Sequence, residues 1–371
     1  MNNLAWPNKI IFIVNILCTL LLVASYSASY ISPKIFWPLS FLGLAYPFIL
    51  ILNIAFMIYW ALFQKKQMIL SLIVILLGWT HIKSHFQAHW GNDTIPNNDA
   101  CHTLKIISYN VRLFAIYDDS SKDKTTDNKI FDIIKNSNAD IICMQEFMYN
   151  NDGYIISADS MQQSFKAHEL HAEYSNVFNP TNKLGIATFS SYPIVNKGRI
   201  DFGKGTNNIC MYTDIDVKGD TIRVYCAHFQ SIRFGKEDYV TIEKIDDSPI
   251  DDEKQWMGIK KILRKLKIAF SRRASQAELV AESINNSPYP VILCGDFNDT
   301  PGSYTYHTVS EKLNDSFIEK GNGIGNTYIG LFPSFRIDYI LHSDNIECLY
   351  YERIDKKLSD HYPVSAILKV K

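Results

Sequence analysis

The apolar residues of this 371-residue chain crowd at its start. Ile10–Tyr30 (IIFIVNILCTLLLVASYSASY) has one strongly polar interruption, Asn15, and Ile35–Phe63 is a second, longer run holding Pro38, Gly43, Pro47 and Asn53. A helix of about 20 apolar residues crosses the hydrocarbon core of a bilayer, and both runs reach that length. Residues 1–83 are therefore read as a membrane anchor of two to three transmembrane helices. The third run, Met68–Trp79 (MILSLIVILLGW), is shorter; it either crosses or lies as an interfacial or buried helix. Lys9, the first apolar run and the small residues of ASYSAS also fit a secretory signal, but the second run so close behind favours an anchor that stays attached. Lys9, Lys65 and Lys66 assign the N-terminus and the connection between the second and third runs to the cytoplasm. Three crossings then put everything after Lys83 on the extracytoplasmic (periplasmic or outer) side, which is the expectation; two would leave it inside.

A net charge of −1 selects no partner by bulk electrostatics, and 47% hydrophobic with 13% aromatic residues supports a sizeable core. Seven cysteines form no CxxC or Cys/His zinc spacing. Cys18 sits in an apolar run, and Cys143, Cys226 and Cys294 sit in strand-like runs where cysteine acts as a small buried hydrophobe. No disulfide framework is expected.

His85–His102 (HFQAHWGNDTIPNNDACH) is polar, with Pro96 and several Asn, and residues 84–103 read as a linker. From Leu104 to Lys371 short β-like runs alternate with turns and a few helices: LKIISYN, ADIICMQE, LGIATFSSYPIV, VILCGDFN, RIDYILHS and YPVSAILKV. NICMYTDIDVKGDTIRVYCAHFQ reads as a hairpin turning at Lys218-Gly219-Asp220. Asp127–Asn136 and Arg273–Asn285 carry helical spacing, the second with Ala277, Val280, Ala281 and Ile284 on one face. This mixture points to an α/β or α+β domain built on sheets. Residues 234–272 break the rhythm: Phe234–Trp256 is polar with the acidic stretch EKIDDSPIDDEK, and GIKKILRKLKIAFSRR after it is basic and amphipathic. The segment is either a surface loop leading into a solvated helix or a cationic flap for anionic lipid or a phosphate-bearing substrate.

Polar residues recur where the strand-like runs end. SYN ends in Asn110, MQE in Glu146, AHF holds His228, GDFN holds Asp296 and Asn298, RIDY holds Asp338, and SDHYP holds Asp360 and His361. Singly, each is an ordinary turn residue. Asp338 is the exception, because a buried carboxylate needs a partner, here His361 or Arg336. Taken in order, the six stretches resemble the endonuclease/exonuclease/phosphatase superfamily, which includes deoxyribonuclease, apurinic endonucleases, neutral sphingomyelinases and inositol polyphosphate 5-phosphatases. The resemblance covers Leu104–Lys371. It implies an α/β fold, a four-layer α/β/β/α sandwich of two packed mixed sheets flanked by helices, with the active site at one edge.

It further implies a Mg²⁺- or Mn²⁺-dependent hydrolysis of phosphate esters. Glu146 would be the principal metal ligand, with Asn110 and Asp360 in support. Asp296 would orient and deprotonate the attacking water and Asn298 would position it. Asp338 would hold His361 cationic against the phosphoryl oxygens, and His228 would contact the phosphate or the leaving group. Arg112 and Thr300 are substrate contacts or plain surface residues. In this chain the usual Thr-His-Leu of the family is Ala227-His228-Phe229, and Asp299–Tyr306 (DTPGSYTY) resembles the segment that follows GDFN, with Tyr304 read as a packing residue. The expected reaction is phosphodiester hydrolysis of nuclease type, with membrane lipid held through residues 10–83 and no obligate protein partner. A phospholipid headgroup phosphodiesterase, an inositol-phosphate phosphatase, and a non-catalytic receptor or scaffold that kept the fold are the alternatives.

Overall fold

A computed structural model of the chain describes residues 5–63, 65–89, 103–115, 125–150, 157–203, 205–232, 234–235, 237–241, 253–330 and 335–371. The chain divides into two compact units: residues 1–77, 230–276 and 302–305 form one, and residues 78–229, 277–301 and 306–371 the other.

In the first unit, α1 (Trp6–Ser27), the short α2 (Pro33–Phe36), α3 (Pro38–Leu62) and α4 (Met68–Leu77) follow one another. Helices α1 and α3 are long and apolar enough to cross a membrane, and a third span is added if α4 and the following α5 (Trp79–His85) count as one broken span. Ten residues of α4 alone rise only about 15 Å, half of a hydrocarbon core of about 30 Å. The third apolar run thus ends as a helix at Leu77 and breaks at Gly78. Polar side chains tie these helices together. Asn15 Nδ2 donates to Ser71 Oγ at 2.8 Å, Trp60 Nε1 donates to Asn15 Oδ1 at 3.1 Å, and Thr19 Oγ1 donates to Asn53 Oδ1 at 3.2 Å. Such bonds join helices where apolar packing alone gives no direction. Ser71 meets Asn15, and the Tyr26 hydroxyl donates to the carbonyl of Val74 further along. Helix α4 therefore runs the same way as α1.

The second unit is built on two six-stranded sheets. The first has the order β11–β12–β1–β2–β4–β3, from β1 (Thr103–Asn110), β2 (Ile141–Asn150), β3 (Glu169–Asn179), β4 (Asn182–Ser190), β11 (Ile346–Arg353) and β12 (Val364–Val370). The second has the order β5–β6–β7–β8–β10–β9, from β5 (Ile194–Ile200), β6 (Ile209–Val217), β7 (Asp220–His228), β8 (Val291–Asp296), β9 (Asn314–Asp315) and β10 (Asp338–His342). One core lies between the sheets, where Ile106, Cys143, Met211, Val224, Cys226, Ile292, Cys294, Ile340 and Ala366 are buried. Helices α6 (Thr125–Ser137) and α7 (Ala158–Ser164) cover the outer face of the first sheet through Ile130, Ile134 and Met161. The outer face of the second sheet is covered by Ala277, Val280 and Ile284, the final turns of α8 (Glu253–Asn285), and by Tyr306 and Val309 of α9 (Tyr304–Ser310). The last short helix, α10, is Ser316–Lys320. Alternation of period two along each strand, with apolar residues facing both ways, produces the α/β/β/α sandwich.

Several elements differ from the sequence reading. The helix expected at Arg273–Asn285 begins at Glu253 and runs 33 residues through the basic stretch without a break; Lys260, Lys261, Arg264 and Lys267 are exposed, while buried Arg273 donates to the carbonyl of Gln230 at 2.9 Å. LGIATFSSYPIV splits into β4 and β5, which belong to different sheets. The hairpin turns as expected, with φ of 57° at Lys218 and 103° at Gly219. The first residues of the 84–103 stretch lie on the second unit: Gln87 bridges Gly323, and Arg336 Nη2 donates to the carbonyl of Ser84 at 2.7 Å. Most of the acidic stretch, residues 243–252, lies outside the described residues. The described cysteines are all free.

Candidate active site

Five strands deliver polar side chains to one rim of the two sheets. β1 ends at Asn110, β7 at His228 and β8 at Asp296. β7 and β8 are parallel neighbours, so His228 stands beside Asp296. β10 runs antiparallel to β8, and its first residue, Asp338, pairs with Asp296. Asp338 thus reaches the same rim from the beginning of a strand, not from its end. Glu146 also departs from the strand-end pattern. β2 continues to Asn150, and Glu146 lies inside it at an irregularity between Met144 and Phe147, with φ of 52°. A bulge of this kind re-aims one side chain out of the pleat.

Gly295 explains why GDFN can stand here. Its φ is +153°, and a Cβ at this position would run into the carbonyl oxygen of Ala227 on β7. Glycine lets β8 approach β7 closely enough to set His228 beside Asp296.

Asp296 is the centre of the network and is almost fully buried. Its Oδ2 accepts from Asn110 Nδ2 at 2.9 Å and from Asn298 Nδ2 at 3.1 Å, and its Oδ1 accepts from the Asn298 backbone at 2.8 Å. His228 Nε2 and His361 Nε2 each lie 3.7 Å from Asp296 Oδ2. Burial pushes the Asp296 carboxyl up to about 6; the charge of Asp338 adds to that, while His361, His228 and Asn110 oppose it. Glu146 Oε1 is 3.8 Å from His228 Nε2. Burial first, and then the charge of Asp360, raise the Glu146 carboxyl above its ordinary value.

His361 Nδ1 is 2.9 Å from Asp338 Oδ2. Burial alone would lower its basicity, but the charges of Asp338 and Asp296 and the bond to Asp338 outweigh it and hold the imidazole well above its ordinary pKa. Asp338 pairs with His361, while Arg336 pairs instead with Asp315 at 2.7 Å. The Arg112 side chain lies 3.6 Å from Asp360 Oδ2. Asn298 Nδ2 also donates to the carbonyl of Phe229, pinning the loop after β8 to the end of β7.

Asp296, Asp338 and His361 bring potential ligand atoms within 4.8 Å of one another. With two carboxylates and an imidazole, the trio offers oxygen and nitrogen ligand atoms, and without a metal the carboxylates favour the protonated imidazole. The better fit for a metal is Glu146. It is partly exposed, with 31% of its side-chain surface open, and its ionised form is disfavoured by another carboxylate, Asp360. Two carboxylates that repel each other, offering only oxygen, suit a hard divalent cation of the Mg²⁺ type. Asn110 turns its oxygen to the backbone N–H of Arg112 at 3.0 Å, so it offers the cluster its NH₂ group. Thr300 is buried, and its hydroxyl has no hydrogen-bond partner among the described residues; no contact joins it to the cluster.

Two residues at the site escaped the sequence reading. The Ser359 hydroxyl donates to the carbonyl of Asn110 at 2.9 Å and lies 3.2 Å from Asp360 Oδ1, bridging β1 to the loop before β12. It stands first in SDHYP, which was the available signal. The Tyr328 ring stands edge-on to His361 at 5.3 Å, with a backbone bridge between the two residues; nothing in the sequence around Tyr328 marks it.

No curated protein matches the chain. A domain of unknown function matches residues 8–85. Among solved structures, an endonuclease/exonuclease/phosphatase family protein from Bacteroides thetaiotaomicron is similar at 18% identity and a TM-score of 0.53, covering 72% of this chain and 95% of that one. A mannosyl-6-phosphatase from Bacteroides thetaiotaomicron VPI-5482 is similar at 18% identity and TM-score 0.52, over 71% and 99% of the two chains. The catalytic domain of human Nocturnin, with a bound sulfate anion, is similar at 17% identity and TM-score 0.52, over 73% and 94%. At these identities the likeness is one of fold. The description "Endonuclease/Exonuclease/phosphatase family" matches residues 107–361, more than half of the sequence, and the chain belongs to that family.

Proposed function

We infer that the protein is a membrane-anchored, divalent-metal-dependent phosphoesterase that hydrolyses a phosphodiester. The observation that carries this reading is Asp296: a buried carboxylate with a pKa near 6, fixed by three N–H donors and flanked by two imidazoles. A base of that strength is largely ionised at neutral pH yet basic enough to take a proton from water.

Asp296 accepts the proton of a water whose oxygen forms a bond to phosphorus, the bond from phosphorus to the leaving oxygen breaks in line with it, and the departing alkoxide takes a proton from solvent. His361, kept protonated by Asp338, stabilises the charge on the phosphoryl oxygens. His228 contacts the phosphate or the leaving oxygen, Asn298 and Asn110 orient Asp296, and Arg112 with Thr300 are proposed substrate contacts. Glu146, with Asp360, would hold Mg²⁺ or Mn²⁺, which when bound supplies neutralisation of the phosphoryl charge.

The extracytoplasmic reading is supported within the first unit. Ser29 Oγ donates to the carbonyl of Gly302 at 3.0 Å, and Phe41 meets Phe270 edge to face at 5.4 Å. Residues 253–276 and 302–305 therefore lie against the end of the hairpin formed by residues 28–41, opposite Lys65 and Lys66. Three lysines (Lys9, Lys65, Lys66) flank the cytoplasmic end of this assignment, against Lys34 and Lys83 at the other.

A phospholipid headgroup is the second reading, favoured by the two spanning-length helices, which would keep the catalytic domain beside a bilayer. The test is a substrate panel on the full-length chain in detergent with Mg²⁺: bis-p-nitrophenyl phosphate, plasmid, abasic duplex, sphingomyelin and inositol phosphates. Hydrolysis of the generic diester, abolished by EDTA, is expected. No turnover of any member would favour a receptor that kept the fold.

A further inference from the structure

Helix α8 has two unlike faces over residues 253–276. On the inner face Ile262, Leu266 and Phe270 pack with Phe41, Ile232 and Phe234. Along one flank, Lys265 pairs with buried Asp238 at 2.5 Å and Lys261 with Glu237 at 2.9 Å. The outer face is open and mixes two chemistries. Trp256, Met257, Leu263 and Ile268 are exposed, Trp256 at 52% and Met257 at 57%. Lys260, Arg264 and Lys267 are exposed between them, and neither Lys260 nor Arg264 has an acidic partner among the described residues.

The spacing places Trp256, Lys260, Leu263 and Lys267 along one side of the helix. That side is located by Lys267, whose ammonium lies 5.8 Å from the Trp37 ring, immediately before α3. Trp37 and Phe41 belong to the first turns of a helix of spanning length, the level at which aromatic rings meet lipid headgroups. An exposed row of alternating tryptophan, leucine and lysine at that level matches a helix lying in the plane of a bilayer surface, with apolar groups sunk among the acyl chains and cations among the phosphates.

We propose that the outer face of α8, centred on Trp256, Lys260, Leu263, Arg264 and Lys267, lies on the anionic lipid headgroups of the bilayer that α1 and α3 cross. The charge of the face selects the lipid, and the contacts of the helix with Trp37 through Lys267, and with Phe41 through Phe270 on its inner face, set its depth. The proposal rests on the anchor reading and is independent of the reaction.

The test is lysine footprinting by acetylation, read by mass spectrometry, on the full-length chain. It is run in nanodiscs of phosphatidylcholine, in nanodiscs of phosphatidylcholine with about a third phosphatidylglycerol, and in uncharged detergent micelles. Exposed Lys312 and Lys357 serve as references. Lys260 and Lys267 are expected to react roughly threefold or more slowly in the anionic discs than in the neutral ones, with the difference shrinking in high salt. Arg264→Gln should weaken that protection without altering the references. Equal rates in all three settings would overturn the proposal. Equal protection in neutral and anionic discs would contradict the selection of anionic lipid. Protection in micelles equal to that in anionic discs would contradict contact with lipid headgroups.

Discussion

Asp296 is held in a place that is poor for stability and, on the proposed mechanism, useful for catalysis. Its pKa is raised to about 6, so the folded state binds its proton more tightly than the unfolded chain does. The stability it contributes is complete below the ordinary carboxylate range and is lost as pH rises through about 6. Asp296→Asn should therefore stabilise the fold near pH 8 in EDTA by up to about 3 kcal/mol, read from urea unfolding. The same variant should lower diester turnover by about 10³-fold or more. Wild-type turnover in this variant would remove Asp296 from the chemistry. For the wild type, kcat/KM should rise with pH on a limb near 6, while His361, whose pKa lies well above the ordinary value, stays charged through neutrality. A flat profile between about pH 5 and 7 would contradict the assignment of the base. Gly295 gives a structural counterpart. Gly295→Ala places a Cβ against the Ala227 carbonyl at a φ of +153° and should cost about 2–5 kcal/mol. An unchanged thermal midpoint would show that β7 and β8 can separate there. The motif residues themselves were readable because GDFN and SDHYP are short and specific. The position of Glu146 was not. IICMQEFMYN reads as one uninterrupted strand, and a bulge inside it leaves no compositional mark.

At the scale of elements, the sequence was most legible where period and punctuation agree. The β6–β7 hairpin follows from Lys218-Gly219-Asp220 between two alternating runs. Helix α8 shows the opposite case. Its basic middle reads in the sequence as a solvated helix after a loop or as a cationic flap, apart from the helix at Arg273–Asn285, yet Ile262, Leu266, Phe270, Ala277, Val280 and Ile284 keep one apolar side throughout. The direction of β10 was also hidden, because register across a sheet is a long-range property. Only the pairing of Asp338 with Asp296 reveals that the strand begins at the site. Among the apolar helices, Asn15 is bonded to both Ser71 and Trp60. Asn15→Leu should loosen α4 from α1 and α3 by about 0.5–2 kcal/mol, measured as a lower thermal midpoint in detergent. No change would mean that packing alone holds the three helices together.

For the whole molecule, a fold of the endonuclease/exonuclease/phosphatase family shares the chain with two helices long enough to cross a membrane, and the extracytoplasmic side proposed for the catalytic domain rests on lysine placement. A reporter fused after Lys83 should be active only outside the cytoplasm; cytoplasmic activity would mean that α4 and α5 do not complete a crossing. The division of labour at the sheet rim makes a stronger demand. On the proposed mechanism, Glu146 and Asp360 would hold the cation, while Asp296, Asp338 and His361 would handle the proton and the phosphoryl charge. The most direct measurement is a Mg²⁺ titration of bis-p-nitrophenyl phosphate hydrolysis by the full-length chain, comparing wild type with Glu146→Gln. The account predicts no turnover in EDTA, saturable activation of the wild type, and a Mg²⁺ requirement raised at least about tenfold in Glu146→Gln. Hydrolysis that persists in EDTA, or an unchanged Mg²⁺ dependence in the variant, would contradict it.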